Sequence, residues 1–301
     1  MAAVATIVEP AKGLILPAVL LAATLALIAM QVEADRTPIF ETARLGPETV
    51  RILPRPFQYR ASGEFLRNTA TVDGPLLHVN APQPLDIMKF QVSAVEYAAC
   101  VADEVCSKAE PRRKGRGNVP VTGVSYDDAV IYATWLSRRT GTVWRLPTVE
   151  EWAFAAGSKA VDHALGVETD ALDPAERWLI QYKREAALGE DGPSAPQPLG
   201  TFGVNELGVA DLSAVVWEWT STCASRTTLD AIGNQLTFVD SCGVRYLEGR
   251  HRTPMSTFVR DALGGGCSVG VPPDNLGFRL VRESSWPERA AWMVASWLHF
   301  T

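Results

Sequence analysis

The chain has 301 residues, of which 47% are hydrophobic and 21% are charged, so it can bury a sizeable core and is not expected to be disordered. Its formal net charge of -6 offers no broad basic field, which argues against nucleic acid as a partner. The one basic cluster, residues 112–116, lies among glycine and proline and predicts a solvated loop.

An apolar segment near the N-terminus is the first element along the chain. Residues 14–30 carry no charge. The length of this segment is on the border between the apolar core of a signal peptide and a short membrane span. Residues 1–34 are therefore either a cleaved signal peptide, with small residues for cleavage at Val32-Glu33-Ala34, or a retained membrane anchor. In both alternatives the rest of the chain is periplasmic or otherwise extracytoplasmic.

Five cysteines agree with export. Cys100 and Cys106 are close in sequence, and so are Cys223 and Cys242. In an oxidising compartment two local disulfides are the simplest arrangement, which leaves Cys267 single. Other pairings stay open on the sequence alone.

Short strands are predicted after a linker. Residues 35–50 are rich in proline, arginine and threonine and have no helical period, so we interpret them as the linker. Arg51–Leu53 and Phe57–Tyr59 then predict short strands, and Leu85–Val92 predicts a strand that leads directly into a helix.

Three short helices are predicted from their caps. Ser93 and Glu96 form a capping box at the start of a helix over 94–101, and Thr148 with Glu151 forms another. The helix between them has an N-cap serine, an acid in its first turn, a buried face at helical spacing and a terminal glycine: Ser125, Asp128, Ala129, Tyr132, Ala133, Leu136 and Gly141.

Beyond Gly157, which ends the third helix, the periodic pattern weakens. Residues 201–283 predict short strands and long turns with no long helix. The last stretch, residues 284–301, carries three tryptophans and few charges. It predicts an amphipathic tail that either packs on the domain or lies on a membrane.

Several of these segments occur in the same order in one known family. The chain resembles the formylglycine-generating enzymes, or sulfatase-modifying factors, over residues 85–283. This resemblance implies an α+β domain at 51–283, a variant of the C-type lectin architecture with much irregular structure. The matching segments are FQVSAVEY (90–97), PVTGVSYDDAVIYATWL (120–136), WRLPTVEEWAFAAG (144–157), ELGVADLSAVVWEWTSTC (206–223) and DNLGFRLVR (274–282).

The segment DLSAVVWEW is the most informative of these. Trp217 and Trp219 lie two residues apart, so in a strand both face one side and Glu218 faces the other, where it needs a partner. The resemblance implies a calcium site whose ligands are the side chains of Asp211 and Glu218 and two carbonyls, those of Ala214 and Val216. The alternative is that Glu218 pairs with an arginine, either Arg279 or Arg282.

Catalysis is where the chain departs from the family. The formylglycine-forming members oxidise a substrate cysteine with oxygen and bind copper(I) through two cysteines. The comparable stretch here, Arg250–Arg260, has no cysteine, so we expect no copper and favour a protein that is not an enzyme. Cys267 is the one catalytic candidate, which His251 or Met255 would join in a copper site, and the alternative is a structural thiol.

A narrower resemblance is to the periplasmic NirV-type accessory proteins of copper nitrite reductase. It rests on the Cys-x5-Cys helix, on WEWTSTC and on the glycine-cysteine run before PPDNLGFRL. It implies a maturation or accessory role in denitrification, with copper nitrite reductase as the partner. Two alternatives stay open: a formylglycine-type oxidase with a rearranged site at Cys267, and a calcium-stabilised, lectin-like binding module.

Overall fold

A computed structural model describes residues 46–68, 70–81, 83–162, 195–261 and 275–288, together with single residues at 179, 183, 290 and 292. A compact unit begins at Pro47, and its first strand begins at Thr49, two residues before the predicted domain boundary. The apolar segment at 14–30, Cys267 and most of the tail lie outside the described residues. Among the described residues, no helix is long and apolar enough to cross a membrane.

The three predicted helices are confirmed, and each begins with a capping box. Helix α1 spans Ala94–Ala102, α2 spans Tyr126–Thr140 and α3 spans Val149–Ala156. The serine or threonine before each helix accepts from the third backbone amide, and an acid in the first turn accepts in return from the cap amide. Gly141 ends α2 in the left-handed conformation (φ 68°), which glycine adopts without steric penalty.

Twelve strands form three sheets in the described part of the chain. A four-stranded sheet has the order β1-β6-β12-β7, and β2 pairs with β5 in a separate ribbon. The larger sheet has the order β10-β9-β8-β3-β4, and β11 pairs with the start of β8 in parallel. The strands are β1 (Thr49–Ile52), β2 (Pro56–Arg60), β3 (Glu64–Arg67), β4 (Ala70–Val72), β5 (Leu76–Asn80), β6 (Leu85–Met88), β7 (Trp144–Arg145), β8 (Trp217–Leu229), β9 (Gln235–Glu248), β10 (Thr253–Ser256), β11 (Leu276–Gly277) and β12 (Val281–Arg282).

The prediction of only short strands after residue 201 is wrong. Strands β8 and β9 have 13 and 14 residues and pair as a long antiparallel hairpin. Residues 235–243 of β9 are all exposed, and their alternation of polar and apolar residues lasts only over 235–238 before it breaks at Phe238-Val239. The hairpin therefore leaves little trace in the sequence pattern.

Two buried clusters form the core. The first packs α1 and α2 against β8 and β10 and contains Trp217 and Trp219. The second packs α3 against the four-stranded sheet and contains Trp152. This α+β arrangement of small sheets, three short helices and long connections is the fold class that the family resemblance implies.

Both predicted disulfides are present. Cys100–Cys106 closes the end of α1 and belongs to the first core cluster. Cys223–Cys242 joins the neighbouring strands β8 and β9. The four cysteines in the described part of the chain are therefore all oxidised.

Candidate functional site

Glu218 lies between the two core clusters, and only 1% of its surface is exposed. Trp217 and Trp219 on either side of it belong to the first cluster, as the alternation of a strand predicts. The Glu218 carboxylate instead faces Trp152 of the second cluster, whose Nε1 donates to Oε2 at 2.9 Å. Gln91 Nε2 donates to Oε1 at 2.7 Å.

Arg279 completes the surroundings of this carboxylate. Its Nε donates to Glu218 Oε2 at 2.6 Å and its Nη2 to Glu218 Oε1 at 2.7 Å, so the ion pair is bidentate. The remaining N–H groups of Arg279 reach the carbonyls of Met88, Lys89 and Ala210. Five guanidinium donors are thus matched by acceptors, and each carboxylate oxygen accepts twice, which is what a buried pair requires.

The open alternative for Glu218 is therefore resolved in favour of Arg279. The other candidate, Arg282, donates to Asp86 at 2.8 Å and to Glu288 at 3.2 Å. Just before Arg279, strand β11 approaches residue 121 so closely that a Cβ on Gly277 would lie only 2.6 Å from the carbonyl oxygen of Val121, which favours glycine there.

The groups predicted to bind calcium are largely engaged by protein donors. The Asp211 carboxylate accepts from the backbone amides of Gly200 at 2.5 Å and Phe202 at 2.9 Å. The Ala214 carbonyl accepts from Arg250 Nε at 3.1 Å. Because Glu218 is also saturated, by Arg279, Gln91 and Trp152, these residues as arranged do not fit a calcium ion.

Residue Val216, the fourth predicted ligand, is buried immediately before β8. Asp211 itself adopts a left-handed backbone conformation (φ 55°), which aspartate tolerates better than most residues. This turn aims its carboxylate at residues 200–202. Asp211 thus binds the backbone at residues 200–202, whereas Glu218 binds the side chains of Arg279, Gln91 and Trp152.

The stretch that replaces the family's cysteine pair is built into the fold. Met255 lies in β10 and is buried in the first core cluster, and the ring of His251 packs edge-on against Trp217 at 5.5 Å. Arg260 forms a bidentate pair with Asp128 of α2, with both N–O distances 2.7 Å. These contacts indicate that the segment stabilises the domain. Cys267 lies outside the described residues.

Potential ligand clusters are scarce in the described part of the chain. One group of three side chains brings metal-binding atoms within 4.8 Å of one another: Cys223, Asp240 and Cys242. Both of its cysteines are joined in the disulfide, so neither is a thiolate ligand in this state. Two free thiolates cannot be assembled from these residues while both disulfides are intact.

The described residues line at least two surface clefts. A cleft of about 290 Å³ is lined by Phe57, Phe154 and the ion pairs of Arg145 with Glu151 and Glu283. The hydrogen bonds from Arg145 to Glu151 raise the pKa of the guanidinium above its ordinary value. A second cleft of about 480 Å³ lies beside Gln91. Among the described residues, neither cleft brings together a set of catalytic side chains that lack hydrogen-bond or ion-pair partners.

Comparison with known proteins identifies the family of this chain. The profile of the sulfatase-modifying factor enzyme 1-like domain matches residues 36–284. The chain belongs to this family.

Relatives in the family include enzymes and a protein described as inactive. The formylglycine-generating enzyme of Mycobacterium tuberculosis is 38% identical over 112 residues, covering 36% of this chain and 34% of that protein. The mouse protein named inactive C-alpha-formylglycine-generating enzyme 2 is 30% identical over 175 residues, covering 56% of this chain and 51% of that protein. The match thus spans about a third to a half of these relatives.

A solved structure of lower sequence identity supports the fold. PvdO from Pseudomonas aeruginosa superimposes with a TM-score of 0.51 at 21% identity, over 79% of this chain and 95% of that one. At this identity the similarity concerns the architecture alone. It agrees with the α+β fold described above.

Sequence reasoning missed two members of the Glu218 network. Gln91 and Trp152 lie 127 and 66 residues from Glu218 in the chain, and nothing local connects them to it. The only signal available is that each lies in a segment that matches the family, FQVSAVEY and WRLPTVEEW. Their role becomes visible only when α3 and the residues before α1 are packed against β8.

Proposed function

We propose that this chain is an extracytoplasmic accessory protein that has kept the family scaffold without its cysteine-oxidase chemistry. The observation that carries the proposal is the state of its cysteines. Four of the five are paired in disulfides, and Arg250–Arg260 supplies buried structural side chains where the family has its copper-binding pair. One remaining thiol, Cys267, cannot supply the two thiolates of that copper site.

Export is supported by chemistry as well as by the apolar segment. Disulfides persist in oxidising compartments and are rare in the cytosol, and this chain has two of them. Residues 14–30 would deliver the domain to that compartment, as a signal peptide or as an anchor.

We further propose that the chain assists the maturation of a copper nitrite reductase in the same compartment. The support is the narrower resemblance to the NirV-type proteins in the Cys-x5-Cys helix and in WEWTSTC. In this domain the first of these motifs is a disulfide that closes α1, and the second begins β8 and ends at Cys223. The proposed partner is recognised as a folded protein and not as a cysteine to be oxidised to formylglycine.

The activity test uses a peptide with the family's Cys-x-Pro-x-Arg motif, supplied with copper and oxygen and analysed by mass spectrometry. We expect no loss of the cysteine thiol to formylglycine by the wild-type protein. Turnover that disappears in a Cys267→Ser variant would contradict the proposal and establish an oxidase with a rearranged site. Binding is tested separately, by mixing the purified chain with copper nitrite reductase and measuring complex formation and copper loading of the reductase.

A further inference from the structure

The two disulfides of this protein occupy opposite environments. Cys100 is fully buried and Cys106 nearly so, and both pack in the core. Cys242 is exposed on β9, and its partner Cys223 is half-buried on β8. Exposed disulfides are open to attack by thiols and are the labile ones, whereas buried disulfides are protected. The exposed bond is therefore the candidate for exchange.

Arg245 gives the two sulfur atoms of this bond different properties. Its Nη1 donates to Cys223 Sγ at 2.9 Å and also to the carbonyl of Ser221, and its guanidinium carbon lies 4.8 Å above the ring of Tyr126. Among the described residues Arg245 forms no ion pair with a carboxylate, and its buried Nε has no hydrogen-bond partner. An unneutralised guanidinium at this distance stabilises a thiolate on Cys223.

One carboxylate also lies near the bond. An oxygen of Asp240 lies within 4.8 Å of both sulfur atoms, and no hydrogen bond to either sulfur is formed by it, whereas Arg245 Nη1 donates to Cys223 Sγ. Asp240 is exposed, so its charge is screened by solvent more than that of half-buried Arg245. The hydrogen-bonded, half-buried cation therefore outweighs the exposed carboxylate at Cys223. Cys242 remains the more exposed sulfur, which an incoming thiol can reach.

We propose that Cys223–Cys242 is a redox-active site that exchanges disulfides with a dithiol protein substrate. A substrate thiolate attacks Cys242 Sγ, the Cys223–Cys242 bond breaks, and its electron pair leaves on Cys223 as a thiolate beside Arg245. The second substrate thiolate then attacks the substrate sulfur of the mixed disulfide, and Cys242 leaves as a thiolate that takes a proton from water. The substrate loses two electrons and gains a disulfide, while the Cys223–Cys242 pair becomes a dithiol.

The surrounding strand allows such a substrate to approach. Residues 235–243 of β9 are exposed, and β10 pairs with β9 only from Val244 onward. A polypeptide segment can therefore reach Cys242 without any rearrangement of the described core. The reverse sequence, in which the dithiol attacks a second protein's disulfide, returns the site to its oxidised form. The proposed function relies only on the oxidised resting state of this disulfide, so the glutathione test below can fail without affecting the copper and peptide tests of that function.

The test exposes the folded, full-length chain to reduced and oxidised glutathione, followed by acid quenching, alkylation and peptide mapping. A Cys267→Ser background removes the single thiol outside the two disulfides. We expect Cys223–Cys242 to open while Cys100–Cys106 stays oxidised, with glutathione attached to Cys242 and not to Cys223. Opening of both disulfides together, or glutathione on Cys223, would overturn the proposal.

Substitution of Arg245 tests the leaving-group role directly. Arg245→Met removes the cation beside Cys223 and is expected to slow the reduction of Cys223–Cys242 by at least about threefold. Arg226→Met is the matched control, because Arg226 lies on the same hairpin but pairs with Glu64. Equal rates in the two variants, with circular dichroism confirming the fold of both, would show that the disulfide is only structural.

Discussion

Arg279 and Glu218 are joined by hydrogen bonds of 2.6 and 2.7 Å at a depth where neither side chain reaches solvent. The pair connects β8 to β6 through the carbonyls of Met88 and Lys89, and to α3 through Trp152. A charge left alone in such a place is strongly destabilising, so the two residues depend on one another. This ion pair occupies the place where a cation was predicted.

Glu218→Gln should be among the most damaging single changes in the domain. It leaves the Arg279 guanidinium buried without a counter-charge, and we expect a loss of about 3–5 kcal/mol in the free energy of unfolding, measured by urea denaturation. Glu64→Gln is the matched control, because its partner Arg226 is exposed and such pairs contribute at most about 1 kcal/mol. Similar losses in the two variants would contradict the role assigned to Arg279.

Calcium chelation should leave the stability of the domain unchanged. Glu218 accepts four hydrogen bonds and Asp211 two, so the predicted ligands are already satisfied by protein donors. A site filled at calcium concentrations 100 times its Kd would add about 2.7 kcal/mol. Thermal unfolding with and without chelator measures this difference. A marked fall in Tm that added calcium reverses would restore the predicted calcium site.

Asp128 should matter far more than its neighbour Asp127. Asp128 caps α2 at Ser125 and also holds Arg260 in a bidentate pair, whereas Asp127 is exposed. We expect Asp128→Asn to cost about 1.5–3 kcal/mol in unfolding free energy, the range for hydrogen bonds to charged groups. Asp127→Asn should stay within about 0.5 kcal/mol, as surface changes generally do. Equal effects would mean that Arg260 contributes nothing to anchoring this segment.

Alkaline pH should destabilise the protein through its tyrosines. Burial, followed by the hydrogen bond to Glu150 and its charge, raises the pKa of Tyr59 from 10.0 to about 12. A raised pKa means that folding favours the neutral phenol, so this stabilisation is complete below pH 10 and is lost as the pH rises through about 12. Tyr59→Phe should weaken the alkaline decline in urea midpoint. An unchanged decline would contradict the contribution of Tyr59.

The helices could be predicted because their signals are local. Each capping box lies within four residues, and the apolar face of α2 repeats within three turns. The paired cysteines were likewise close in sequence. These features can be identified without any knowledge of the tertiary structure, and the structure confirms them.

The long hairpin and the Glu218 network needed tertiary information. In the exposed outer half of β9 the two-residue alternation lasts only over residues 235–238, which is typical of a short strand and not of one with 14 residues. Glu218 could be recognised as a buried acid in need of a partner, but Gln91 and Trp152 are brought to it only by packing. The choice between Arg279 and Arg282 also depended on which of the two side chains reaches Glu218 on β8.

Copper(I) titration of the purified chain, with both disulfides intact and oxygen excluded, tests most directly whether the oxidase site has been lost. Because only Cys267 can offer a free thiolate, we predict no tight, stoichiometric copper binding after desalting. One copper per chain, lost in the Cys267→Ser variant, would contradict it and show that the protein has rebuilt the family's metal chemistry around that residue.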